Sequence, residues 1–497
     1  MIVSAYARLE AHFARMSHIG GALEILHWDM AAMMPEGGAS DRAEQLATLK
    51  VLHHEMATDE RLETWLAKAN EENLDDWQSA NLREMDRAWR HANAVPAELV
   101  SALSKAGSAC EMTWRTARKA NDFETLAPLL QTVVDHVREV AAAKSESLGL
   151  SPYDALMDQY EPGGREARID GLFEDLAGFL PGFTDEVIAK QAAGPDILEP
   201  EGPFAIELQR QVGVEVMTAM GFDFKHGRLD VSHHPFCCGS GGDVRITTRY
   251  DESRFTKALM GVIHETGHAL YELGLPEKWR GQPVGAARGM SAHESQSLLM
   301  EMQACRSAQF IKFLAPKVKA VFGGDGPAWS SENLSRLYTR VRRDLIRVDA
   351  DEVTYPAHVI LRYRLEKALL SGDLQVVDLP GAWREGMLEL VGVAPDTDQD
   401  GCMQDIHWMD GTLGYFPTYT LGAMTAAQLF QAACDADAEI LPALSRGDFT
   451  PLLGWLRPNM HGLGSRYEMD DLLIHATGRP LDAEVFKAHL TRRYLQR

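Results

Sequence analysis

Within five residues, His264-Glu265-Thr266-Gly267-His268 brings together two imidazoles and a carboxylate. On a helix, positions four apart share a face, so both imidazoles can reach a single ion. Glu265 is rotated away from that face, where it can hold a water without taking a ligand position. The chemistry this pattern supports is metal-assisted hydrolysis, with a divalent ion polarising the bond and the glutamate handling the proton. The surrounding residues suit one helix over 251–273. Asp251 or Ser253 can cap its start, Phe255, Leu259, Val262, Leu270 and Leu273 form an apolar stripe, and Gly274 can stop it. The plain alternative is a pair of histidines satisfied in a helical core.

Two histidines leave a catalytic zinc site short of one protein ligand, since the fourth position is kept for water. A third histidine in the spacing His-x-x-Gly-x-x-His fails, because Tyr271 stands where glycine is required. The missing ligand is then a carboxylate on a separate helix. Ser291-Ala292-His293-Glu294-Ser295-Gln296-Ser297 opens the next helix and offers Glu294. Ser291-x-x-Glu294 also reads as a capping box, in which the glutamate only serves its own helix end. Glu301 lies two turns on, on a similar face, and spacing leaves both open.

The elements that must position these residues are mostly helical. Tyr6, Leu9, Phe13 and Met16 recur at helical spacing, as do Leu126, Leu130, Val133, Val137 and Val140, and such stripes predict core. Breaks fall at Met34-Pro35-Glu36-Gly37-Gly38, at Glu161-Pro162-Gly163-Gly164 and at Gly194-Pro195. Residues 222–250 differ: Phe222, Phe224, Leu229, Val231, Phe236, Val244, Ile246 and Tyr250 alternate with turn formers. They predict a small antiparallel sheet beside the metal helix, able to bind a peptide backbone by strand addition. Arg340-Val341-Arg342-Arg343-Asp344-Leu345-Ile346-Arg347 reads as a helix of mixed charge.

The chain has 497 residues with no linker or repeat, so it is read as one unit, 1–497, with a helical part to about 220 and a catalytic part from about 221. A net charge of -23 leaves no basic stripe for phosphates, which excludes a nucleic-acid partner. No window reaches the ~18–20 apolar residues of a membrane span, and the N-terminus carries no signal-peptide pattern. Cys110, Cys237, Cys238, Cys305, Cys402 and Cys434 form no Cys-x-x-Cys, which fits a reducing, cytoplasmic setting. Adjacent Cys237 and Cys238 are read as packing residues, since a disulfide between neighbours is strained.

Five motifs resemble the M32 carboxypeptidases (carboxypeptidase Taq type). They are His264–His268, His293-Glu294-Ser295-Gln296-Ser297, Asp243-Val244-Arg245-Ile246-Thr247, Ile346-Arg347-Val348-Asp349-Ala350-Asp351 and Gly401-Cys402-Met403-Gln404-Asp405-Ile406-His407-Trp408. Trp28-Asp29 with Met34-Pro35, and Tyr160-Glu161-Pro162-Gly163, look familiar too. The resemblance implies a neurolysin-like helical body with a deep groove, usually a homodimer, and a third metal ligand at Glu294. The ion is most simply zinc, one per chain, with cobalt or manganese open.

Residue chemistry then distributes the roles. Glu265 takes a proton from the attacking water and delivers it to the leaving amine. His407, Tyr415 and Tyr419 are unranked candidates for the donor to the oxyanion. With the resemblance, Arg347 and Arg245 would clamp a free terminal carboxylate, with Gln404 on the substrate side, although Arg245 could instead pair with Asp243. The expected substrates are peptides with a free C-terminus. Rival readings are an oligoendopeptidase of neurolysin type, which needs no clamp, and a silent peptide-binding scaffold, which would not need Glu265. An aminopeptidase would require an acidic cluster for the substrate amine, and no Gly-x-Met-Glu-Asn segment occurs.

Overall fold

The computed structural model describes residues 3–496. Helices follow one another from Ala5–Ala32 to Ile206–Ala219, and after a small sheet they resume at Phe255–Glu272 and continue to Ala483–Tyr494. Both predicted stripes are core. Tyr6, Leu9, Phe13 and Met16 pack with Leu62, Leu66, Leu82 and Met85 in a separate N-terminal cluster. Leu126, Leu130, Val133, Val137 and Val140 join a continuous core that reaches Tyr494, so the N-terminal and C-terminal parts are built around shared packing. Among the described residues, no helix is long and apolar enough to cross a membrane.

The sheet comprises β1 (Gly227–Val231), β2 (Phe236–Ser240) and β3 (Asp243–Thr248), in the order β1-β3-β2. It is mixed rather than purely antiparallel. The tight turn between β2 and β3 makes an antiparallel hairpin, whereas β1 runs parallel to β3. Leu229, Val244 and Ile246 seal one face against Val262 and Ala269 of the helix that carries His264 and His268. β2 is an edge strand, with Cys237 close enough to feel the charges of Glu265 and Glu272.

That helix runs over Phe255–Glu272 and has no side-chain cap. Neither Asp251 nor Ser253 caps it, because Asp251 spends its carboxylate on the backbone and hydroxyl of Ser253. Its start is fixed instead by Phe255, which stacks on Trp329 at 5.7 Å and meets Phe204 edge-on at 4.9 Å. Gly274 follows its end for a different reason from the one expected. A Cβ there would lie 1.7 Å from the guanidinium of Arg457, so the residue is small to admit that side chain.

The stretch Arg340–Leu345 is not helical; the preceding helix ends at Tyr338. Its backbone groups are claimed from outside, the Val341 N–H donating to Gln191 and the Arg342 N–H to Asp351. Arg347 therefore opens a short 3-10 turn, Arg347–Asp349, rather than lying on a solvated helix face.

Candidate active site

The helix Met290–Leu298 lies against Phe255–Glu272 and continues as a π-helical segment, Leu299–Cys305. Close approach depends on Gly267, where a Cβ would meet the Gln296 carbonyl oxygen at 2.5 Å and Ser297 Cα at 2.7 Å. On the opposite side, a Cβ on Gly422 of the helix Pro417–Ala436 would lie 2.9 Å from Cβ and Cγ of Glu294. Two glycines on two helices thus let Glu294 sit deep between them. The capping box is absent: Gly289 precedes the helix, Ser291 is inside it, and Glu294 points at the histidines instead.

Glu294 Oε2 lies 3.7 Å from His264 Nε2 and 3.5 Å from His268 Nε2. Ligand atoms of all three residues fall within 4.8 Å of one another, a grouping that can hold a metal ion. The other ring nitrogens decide the tautomers. His264 Nδ1 lies 2.9 Å from Glu301 Oε2, and a carboxylate can only accept, so His264 Nδ1 carries the proton. His293 Nε2 likewise donates to Glu272 at 2.8 Å, leaving its Nδ1 to accept from His268 Nδ1 at 2.6 Å. Both Nε2 lone pairs therefore converge beside Glu294. Neutral imidazoles with a carboxylate, each backed by a further hydrogen bond, suit a divalent cation.

The electrostatics describe a pocket that draws positive charge to this point. Burial pulls His264 down, but Glu294 and Glu301 outweigh it and lift the imidazole to about 10, so a metal ion at Nε2 would displace a proton held there. Burial and His293 hold His268 at about 4. Burial opposes ionisation of Glu294, yet the two imidazoles keep it at about 2. Glu265 is 7% exposed, and burial pushes it up to about 7, against the pull of His264. A carboxyl poised near neutrality suits proton transfer.

Glu301 is thus not among the converging donors; it orients His264 and is itself paired with Arg306. Glu272 and His293, to which sequence reasoning gave no role, orient His268. A signal existed, because His264, His268 and Glu272 stand at helical steps of four on one face.

The Arg347 motif and the Gly401–Trp408 motif meet as one unit. Gln404 accepts the Arg347 N–H at 2.9 Å and donates to the carbonyls of Leu345 and Asp400. Its amide is engaged with the backbone of Leu345, Asp400 and Arg347. Asp405 accepts from Arg347 at 2.9 Å and from Arg362 at 2.6 Å, and these two guanidinium groups hold it well below the usual carboxylate range despite burial. Arg347 Nη1 makes no hydrogen bond among the described residues. Its guanidinium lies over Tyr419 at 4.8 Å.

Tyr419 links this unit to the histidine cluster. It shares a helix with Gly422, pairs with His407 Nε2 at 3.2 Å, and packs edge-on to Tyr415 at 5.2 Å. Burial raises both phenols, Tyr419 to about 12, and both feel Glu294. Burial pushes His407 down to about 4, so it is a neutral partner.

Arg245 goes elsewhere. It donates to Asp243 at 3.0 and 2.7 Å and stacks on Trp28 at 4.1 Å, with Arg228 over the same indole at 4.9 Å. The alternative raised for it, a brace of the sheet, is what its contacts describe, and the brace extends to the N-terminal helix.

Residues 8–494 match the family "Carboxypeptidase Taq (M32) metallopeptidase". Thermostable carboxypeptidase 1 of Thermus thermophilus is 39% identical, covering 99% of this chain and 98% of that protein. Among solved structures, Trypanosoma cruzi metallocarboxypeptidase 1 superposes with a TM-score of 0.96 at 40% identity, over 99% of both chains. The M32 carboxypeptidase of Deinococcus radiodurans R1 gives 0.91 at 34%, again over 99% of both. Together with the helical body and a triad that could hold a metal ion, this coverage means that the chain belongs to the carboxypeptidase Taq (M32) metallopeptidase family and is a metallocarboxypeptidase, a peptide hydrolase.

Proposed function

We propose that this metallocarboxypeptidase is zinc-dependent, removes single residues from the C-terminus with broad specificity, and uses Glu265 as its proton carrier. The observation that carries the reading is the convergence of His264 Nε2, His268 Nε2 and Glu294, with buried Glu265 alongside. Zinc held by these three residues would act as a Lewis acid on the scissile carbonyl and lower the pKa of a bound water. Glu265 accepts the proton of the attacking water and passes it to the leaving amine. Tyr415 and Tyr419 donate to the developing oxyanion, and His407 holds Tyr419 in place through its Nε2.

Arg347 receives the terminal carboxylate through the side of its guanidinium that Asp405 leaves free. Tyr355 and Tyr419 lie within electrostatic reach of both Arg347 and Glu294, so clamp and triad share the same neighbourhood. A clamp that reads the carboxylate places no demand on the leaving side chain, hence the broad specificity. Arg245 braces Trp28 and the sheet, and Gln404 braces Arg347. Family likeness supports a homodimer with one ion in each chain and a single peptidase unit.

The test is product analysis by mass spectrometry on peptides with free and amidated C-termini, with zinc added. Stepwise loss of terminal residues, suppressed by amidation, is expected. Internal fragments from both substrates at equal rates would make this chain an endopeptidase.

A further inference from the structure

We propose that the turn Tyr160-Glu161-Pro162-Gly163, from a distant part of the same chain, is the cap of the helix that carries Glu294, and that Glu161 is a positioning residue for that carboxylate. The inference rests on the reading of Glu294 as a metal ligand. Helix Met290–Leu298 lacks a side-chain cap of its own, and Ser291 and Ala292 in its first turn are buried, where an unpaired donor is costly. The turn supplies both acceptors. Met290 N–H donates to the Tyr160 carbonyl at 2.7 Å, and Ser291 N–H donates to Glu161 Oε2 at 3.1 Å. Regular helical bonding takes over from His293, whose N–H reaches the Gly289 carbonyl at 3.0 Å.

The approach requires glycine at 289, where φ is +106° and a Cβ would lie 2.7 Å from Pro162 Cδ. Glu161 is 4% exposed and faces the positive end of the helix dipole. The turn is itself held firmly: Gly163 N–H donates to Asp158 at 3.0 Å, and Arg288, paired with Glu84 and Glu468, reaches the Pro162 carbonyl at 3.4 Å. Ser291 and Glu294 are one helical turn apart, so an error at the helix start is carried to the carboxylate. Tyr160 also packs edge-on to Tyr415 at 5.2 Å, so the same turn touches a second group of the site. A motif more than a hundred residues upstream thereby sets the register of the ligand helix.

Zinc affinity of the metal-free enzyme, measured by competition with a chelating dye, tests this together with thermal stability. Glu161→Ala should weaken zinc binding by ~10–100-fold, the cost of losing support behind a ligand. Glu161→Gln, which keeps an acceptor oxygen, should restore most of the affinity. Should Glu161→Ala fail to fold, Glu161→Asp withdraws the acceptor by one methylene and is expected to weaken binding in the same direction. Zinc affinity unchanged in whichever variant folds, whatever its melting temperature, would overturn the proposal. So would Glu161→Gln binding as weakly as Glu161→Ala. Glu294→Ala, run in parallel, keeps the two claims apart, because full zinc loading there would remove Glu294 as a ligand and leave the measurements at Glu161 standing.

Discussion

Gly267 lies so close to the backbone of Gln296 that a Cβ would sit 2.5 Å from its carbonyl oxygen. In an isolated helix, Gly→Ala is worth about 1 kcal/mol in favour of the helix. Here Gly267→Ala should reverse sign, costing ~1–3 kcal/mol as the two helices are forced apart. Because the contact joins the His264 helix to the Glu294 helix, metal content should fall with stability. Calorimetry and elemental analysis of the purified variant decide it; a stabilised, fully loaded variant would contradict the packing argument.

Glu265→Gln removes the base and leaves His264, His268 and Glu294 untouched. Turnover should fall by ~10²–10⁴ while metal stays bound, in line with loss of a general base. Near-native activity at full metal occupancy would exclude Glu265 from the proton transfer.

Glu294→Ala and Glu301→Ala should differ in degree. The first removes a converging donor and should leave the purified protein without metal. The second removes the acceptor that fixes the His264 tautomer and should weaken affinity by ~10–100-fold. Titration of both metal-free variants separates them, and equal affinities would mean that the two carboxylates have been given the wrong roles.

Arg347→Ala leaves Asp405 paired with Arg362, so the fold should survive the change. Transition-state binding should weaken by about 2–5 kcal/mol, read as a drop in kcat/KM on free-acid peptides. Amidated peptides should be cleaved equally slowly by variant and wild type. A variant that keeps full preference for the free acid would place the carboxylate clamp elsewhere.

Buried Glu366 accepts from Trp408 at 2.9 Å, Tyr153 at 2.8 Å and the Gly414 N–H at 3.1 Å, yet burial still lifts it from 4.5 to about 7. A carboxyl whose folded-state pKa is raised binds its proton more tightly in the native state. Its contribution is therefore full below about 4.5 and lost as pH rises through about 7, by at most about 3 kcal/mol. Glu366→Gln cannot titrate, so the decline of stability between these limits should be shallower than in wild type. Parallel slopes in denaturant titrations across that range would refute the assignment.

Local spacing carried much of this protein's meaning. A four-residue step puts His264 and His268 on one face whatever surrounds them, and the apolar stripes of residues 6–16 and 126–140 became core for the same reason. Resemblance to the M32 motifs, rather than spacing, gave Arg347 its expected role and favoured Glu294 over Glu301. What spacing could not decide was which groups those residues meet. Ser291-x-x-Glu294 satisfies a capping box on paper, but Glu161 and Tyr160 take the N–H groups at that helix start, and Glu294 is left to face the histidines. Arg245 and Arg347 are equivalent arginines in sequence; Trp28 and Asp243 draw one to the sheet, while Asp405 and Tyr419 hold the other beside the site. The charged run before Arg347 reads as a helix only until Gln191 and Asp351 claim its backbone. Each of these outcomes turns on a hydrogen bond or close contact between residues distant in the chain, and periodicity, which registers only neighbours, has no access to them.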